Sequence, residues 1–148
     1  MILPNFKDFP ISGRIIGVDW GVRRTGIAIS DENREFVFVR EPIISKNAND
    51  LIDKLVELIV AERASGVVIG LPLYMDGTES DTTVMVRTFA NDLAKQIDVP
   101  ICFLDETLSS ASAQESMGRV RVRDIKQKLD SESARVILEN AISVMKRL

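Results

Sequence analysis

Ile15-Ile16-Gly17-Val18-Asp19-Trp20-Gly21, then a short basic turn, then Gly26-Ile27-Ala28-Ile29-Ser30-Asp31: this stretch decides how the chain folds. An apolar run that closes on a carboxylate and a glycine is a strand carrying an acid at its own tip. The second apolar run follows closely enough for the two strands to fold back as a hairpin. A carboxylate in such surroundings is costly to bury unless a Lys, an Arg or a metal ion pairs with it.

Working outward, Phe36-Val37-Phe38-Val39 reads as a third strand ending near Pro42, so the chain opens as an antiparallel meander. The pattern then changes. Leu51, Ile52, Leu55, Leu58 and Ile59 follow helical spacing between Asn49 and Ala64, with Asn49 or Asp50 as N-cap and Gly66 as the stop. Val67-Val68-Ile69-Gly70-Leu71 is a continuous apolar strand of the buried parallel kind, broken by Pro72. Val84, Phe89, Ala90, Leu93, Ala94 and Ile97 mark a second helix that stops before Pro100. Ile101-Cys102-Phe103-Leu104 is a fifth strand ending on Asp105-Glu106, and Ser109 or Ser110 caps a short helix through Met117. A final helix over roughly 129–146 carries Ala134, Ile137, Leu138, Ala141 and Met145 on one stripe. The expected fold is α/β: a mixed five-stranded sheet, three antiparallel strands then two parallel ones, flanked by helices. Residues 1–13, with Pro4, Pro10 and Gly13, read as an extended N-terminal arm, and 14–148 as a single domain.

Composition narrows the chemistry. A length of 148 residues fits one domain with a real core, and 45% apolar with 28% charged residues is ordinary for an α/β protein. Cys102 is the single cysteine; it excludes a disulfide framework and suits a reducing compartment. No apolar run approaches the ~20 residues of a membrane helix, and no signal peptide is visible, so the expected location is the cytoplasm, away from membranes. The chain has no histidine. That removes Ser-His and Cys-His pairs, histidine bases and the usual zinc sites, and leaves carboxylates, Lys or metal-bound water to carry any catalysis. Hard oxygen ligands favour Mg²⁺ or Mn²⁺.

Asp19 ends the first strand, Asp105 and Glu106 end the fifth, and Asp130 opens the last helix. Sites in open sheets gather at the C-terminal ends of parallel strands, which brings the first two positions together. Asp130 joins them only if the last helix packs across the same face. Clustered carboxylates repel unless cations neutralise them, and two such ions can activate a water and stabilise a leaving phosphodiester oxygen. Each acid also has a structural role open to it: an N-cap for Asp130, an ion pair for Asp105 or Glu106. Asp31 suits a turn.

Arg119, Arg121, Arg123, Lys126 and Lys128 crowd just ahead of Asp130 in a chain whose net charge is −3. Beside an acidic metal site they can hold phosphates, and Arg23 and Arg24, in the turn after Asp19, are placed to meet one near the metals. A solvated loop is the alternative for the basic run. Aromatic residues are not interleaved with it, so shape and backbone recognition is expected rather than sequence readout.

These residues carry a family resemblance. Gly17–Gly21 with Gly26–Asp31 resembles the opening motif of the YqgF/RuvX family, described both as Holliday junction resolvases and as pre-16S rRNA nucleases. Val68–Leu73 with Met75–Glu79 resembles its second motif, Asp105–Ser110 its third, and Asp130-Ser131 with Ala134 and Ile137-Leu138 its last. The resemblance runs in order over roughly 14–145. It implies a ribonuclease H-like fold and metal-dependent cleavage, with Mg²⁺ or Mn²⁺, of structured RNA or branched DNA. It also implies an acidic set at Asp19, Asp105 and Asp130, with Glu106 as the alternative fifth-strand ligand. Thr107 stands where the third motif usually has Arg, which removes one possible phosphate contact. Two other classes remain in view. One is a catalytically silent nucleic-acid-binding or ribosome-associated module of the same fold. The other is an ATP-dependent phosphotransferase of the actin and sugar-kinase type, which needs a second domain and a further glycine-rich loop. Symmetric junction cutting calls for a homodimer, whereas RNA trimming can be done by a monomer.

Overall fold

The computed structural model describes residues 1–107 and 122–148, with side chains described for 1–106 and 132–148. Its elements are β1 (Ile2–Leu3), a 3₁₀ turn (Phe6–Asp8), β2 (Ile15–Asp19), β3 (Arg24–Ser30) and β4 (Val37–Ile44), then α1 (Ala48–Ala61), β5 (Gly66–Leu73), α2 (Asp81–Ala94), β6 (Ile101–Thr107) and α3 (Val122–Lys146).

The sheet order is β1-β6-β5-β2-β3-β4. β2, β3 and β4 pair antiparallel, as the meander predicts, and β5 and β6 add in parallel on the other side of β2. Among the described residues the sheet has six strands rather than the expected five, because the N-terminal arm is not merely extended. Ile2 and Leu3 pair in parallel with Ile101 and Cys102, and Ile101 N–H donates to the Met1 carbonyl at 2.8 Å. Phe6 and Phe9 are buried and meet edge to face, 5.6 Å between centroids. Two residues are too short a run to show a strand period, so the arm hid its pairing.

Apolar residues on alternate strand positions divide the core. Ile16, Val18, Ile27, Ile29, Val67, Ile69 and Ile101 meet α1 and α2 on one face. Ile15, Ala28, Val68 and Cys102 meet Ala134, Ile137, Leu138 and Ala141 of α3 on the other. The helical stripe expected for α3 is therefore the one that packs. Its closeness depends on a strand residue without a side chain: a Cβ at Gly17 would stand 2.8 Å from Leu138 Cβ and 3.1 Å from the Ala134 carbonyl.

Several boundaries move. β4 runs through Pro42 to Ile44, because Glu41 and Pro42 bulge opposite Gly26 on a strand with only one neighbour, where a missing N–H is tolerated. The N-cap of α1 is Asn47, whose side chain accepts from Asp50 N–H at 2.9 Å. That helix ends at Ala61 rather than at Gly66; Arg63 takes the left-handed turn, with φ 52°. Gly66 opens β5 instead, where a Cβ would run into the Phe9 ring at 2.4 Å. Val84 faces solvent, while Ser80 and Thr83 form a capping box ahead of the buried Val86 and Phe89. α3 begins at Val122 instead of near 129, so Asp130 lies inside the helix and does not cap it. The short helix expected from Ser109 or Ser110 to Met117 falls outside the described residues.

Candidate metal centre at the C-terminal edge of the sheet

Asp19 is the last residue of β2, half-buried, and its flanking residues Val18 and Trp20 both pack into the α1/α2 core. Strand alternation therefore turns Asp19 to the α3 face. Its antiparallel partner on β3 is Gly26. On the parallel side Val18 pairs with Ile69, so Gly70 is the next residue along β5 beside Asp19. The acid is flanked on both neighbouring strands by residues without side chains.

β6 settles which acid of the Asp105-Glu106 pair shares this face. Leu71 and Pro72 pair with Asp105 and Glu106. A Cβ at Gly70 would lie 3.1 Å from Glu106 Oε2 and 2.5 Å from Ile137 Cδ1 of α3. Glu106 thus leans over Gly70 on the face that Asp19 occupies. Asp105 is exposed at the β6 edge, where it lines a cavity with Leu71, Arg87 and Phe103; its pairing partner Leu71 packs on the α1/α2 side. By strand position Glu106, the alternative, shares the Asp19 face, and Asp105 is on the other one. The reason sequence left the choice open is physical: Ile101, Cys102, Phe103 and Leu104 are apolar on both faces, so the run shows no alternation from which to count forward.

α3 crosses this face. Ala134 and Leu138 lie over Gly17, and Met145, further along, accepts at its Sδ from Arg34 at the opposite end of the sheet. The helix therefore runs antiparallel to β2, and position 130 lies one turn towards the Asp19 end from Ala134. The Asp130 side chain is outside the described residues, as are those of Arg123, Lys126 and Lys128, and Arg119 and Arg121 altogether. Among the described residues no group of three or more His, Cys, Asp or Glu gathers to ligating distance. Asp19 and Glu106 make two hard oxygen donors, the set that Mg²⁺ or Mn²⁺ prefers. The space over Gly70 that a Cβ would fill is where Glu106 finds room.

Of the basic residues, Arg23 is exposed in the turn after Asp19, and Arg24 opens β3 on the same face as Gly26 by alternation. Arg87 is exposed on α2, its Nε donating to Glu79 at 2.7 Å. Asp31 shapes a turn as expected: it accepts from Phe36, Asn33 and Glu35 N–H, and the Phe36 bond leads in holding its carboxyl below the usual range. Burial, then the negative charge of Asp105, pushes the Cys102 thiol up to about 11.

A family model described as RuvX, Holliday junction resolvase, matches residues 13–144. A relative from Maridesulfovibrio salexigens is 38% identical over 128 residues, 85% of this chain and 95% of its own. One from Rickettsia felis is 35% identical over 155 residues, with both chains covered in full. Both bear the name "Putative pre-16S rRNA nuclease". Among solved structures, Thermus thermophilus RuvC in complex with a Holliday junction substrate matches with TM-score 0.53 at 13% identity, covering 90% of this chain and 96% of its own. The fowlpox virus Holliday junction resolvase matches with TM-score 0.51 at 14% identity, covering 91% and 99%. At such identities the structural likeness is one of fold, the ribonuclease H-like sheet. The sequence match is of another kind, because it spans nearly the whole chain. The chain belongs to the RuvX family of Holliday junction resolvases.

Proposed function

We propose that this chain is a divalent-cation-dependent nuclease that hydrolyses phosphodiester bonds in structured nucleic acid, with Asp19, Glu106 and Asp130 as its acidic set. The observation that carries the proposal is the approach of Glu106 to Gly70, on the face where Asp19 ends β2 and α3 passes overhead. Bound Mg²⁺ or Mn²⁺ supplies charge neutralisation and Lewis acidity towards the phosphate. Asp19 and Glu106 contribute anionic oxygens from β2 and β6, the two strands on either side of β5. Gly26 and Gly70 leave the space beside Asp19 open to a phosphate. Arg23 and Arg24 meet that phosphate's neighbours, and the run Arg119, Arg121, Arg123, Lys126 and Lys128 follows the backbone further out.

The names of the relatives favour precursor 16S ribosomal RNA as substrate, in the cytoplasm, with branched DNA as the second candidate. Both present backbone geometry, which suits a site with little means of reading bases. The test compares cleavage of junction DNA and of a precursor ribosomal RNA fragment, with and without Mg²⁺ or Mn²⁺. Wild-type protein cuts one of them only with the cation, and Asp19→Asn and Glu106→Gln each abolish cutting while staying folded. A folded wild type that binds both and cuts neither is a silent nucleic-acid-binding module instead.

A further inference from the structure

Asp105 lies on the opposite side of β6 from Glu106. At the outer edge of β6 a cavity of about 550 Å³ is lined by Ile2, Leu3 and Phe6 of the N-terminal segment and by Leu71, Arg87, Phe103, Leu104 and Asp105. The N-terminal arm builds one wall of it, held there by the parallel pairing of β1 with β6. Arg87 lies over the Phe103 ring, 5.5 Å from its centroid, and is fixed in that position by its 2.7 Å bond to Glu79. Asp105 is exposed at the rim, one residue from Glu106.

We propose that this cavity is a nucleobase subsite, taking a base with an exocyclic amino group from the strand that crosses the acidic edge. The inference rests on the nuclease reading for the presence of a strand there. A guanidinium lying over an aromatic ring is a flat, polarisable surface of the kind on which bases stack. The walls from Ile2, Leu3 and Leu71 suit the body of a heteroaromatic ring. Glu79 already offsets the charge of Arg87, and Asp105 adds a negative one, so a phosphate is disfavoured in this cavity. A carboxylate accepts from an amino group such as cytosine N4, and it repels the carbonyl oxygen that uracil offers at the same position. Asp105 and Glu106 point to opposite faces of one strand, so a single nucleotide step can take the chain from the cavity to the acidic face.

The test uses the full chain in EDTA, where cleavage is silent, with fluorescent ten-nucleotide oligocytidylate and oligouridylate as probes. Wild type binds oligocytidylate about five- to tenfold more tightly, the effect of one charge-assisted hydrogen bond at an exposed site. Asp105→Asn removes that preference, and Arg87→Ala weakens both probes together. Equal binding of the two probes by wild type, a preference that survives Asp105→Asn, or no binding of either probe overturns the proposal. The two readings fail separately. A cytidine preference in EDTA without cation-dependent cutting of any substrate defeats the nuclease and leaves the subsite; cutting without preference does the reverse.

Discussion

Glu106 reaches over Gly70: its Oε2 lies 3.1 Å from where a Cβ at position 70 would stand, and Ile137 Cδ1 of the overlying helix lies 2.5 Å from the same point. A methyl group added there has no room on either side. Gly70→Ala therefore pushes Glu106 away from the Asp19 face and forces Ile137 off its seat. The expected cost is about 1–3 kcal/mol of stability, read as a shift in urea midpoint. Cation-dependent cleavage falls at least tenfold even where the variant is fully folded. A variant with wild-type cleavage would mean that Glu106 has no part in the chemistry.

Arg34 is buried and holds the arm to the domain. Its Nε donates to the Gly13 carbonyl at 2.9 Å, Nη1 to Pro10 at 2.5 Å and Nη2 to Ser12 at 2.9 Å, and its guanidinium lies 5.9 Å from the Phe9 centroid. Arg34→Ala leaves those carbonyls without their donor and opens a void beside Phe9. Chemical denaturation is expected to show a loss of about 3 kcal/mol. Proteolysis within the first 13 residues should rise in parallel. An unchanged midpoint would show the arm to be held by its apolar contacts alone.

Cys102 is a shielded thiol. Burial and the nearby charge of Asp105 raise it to about 11, so at pH 8 almost no thiolate is present to react. Thiol reagents should modify the folded protein far more slowly than the same protein in urea. Asp105→Asn, by removing the charge, should speed the folded reaction slightly; rapid modification of native wild type would contradict the packing of β6 against α3.

Acid sensitivity follows from turn and cap carboxylates. Asp31 is held below its ordinary value chiefly by the Phe36 N–H, and Asp50 chiefly by the Lys46 N–H and then by Lys54. A depressed folded-state value means that the stabilisation is fully present above the ordinary carboxylate pKa, about 3.9, and is lost as pH falls through the lower folded-state value. Asp31→Asn should therefore be less stable than wild type at neutral pH. Its deficit should shrink as the pH drops below about 4. A deficit independent of pH would show that the charge on Asp31 does not matter to the turn.

The sequence made the alternating meander, the two parallel strands and the stripe of α3 legible, because each has a period longer than a few residues. Asp19 could be placed because its strand ends on a turn and its neighbours are informative. What escaped was whatever had no period to show. Ile2-Leu3 is too short, Pro42 reads as a breaker until the strand is known to lie at an edge, and Gly66 reads as a helix stop until Phe9 is seen against it. The choice between Asp105 and Glu106 was hidden by a strand apolar on both sides. Only the partner residues, Gly70 on one face and Arg87 with Phe103 on the other, separate the two acids.

The bulge at Glu41-Pro42 has a consequence beyond the shape of β4. An open sheet ends in two rows of unpaired amides and carbonyls, and these can recruit a neighbour's strand into a growing aggregate. At one border β1 offers only two residues. At the other, Pro42 withholds an amide and the bulge twists the backbone out of line. The β4 border is thus interrupted midway, which shortens the stretch over which a neighbour's strand could pair with it.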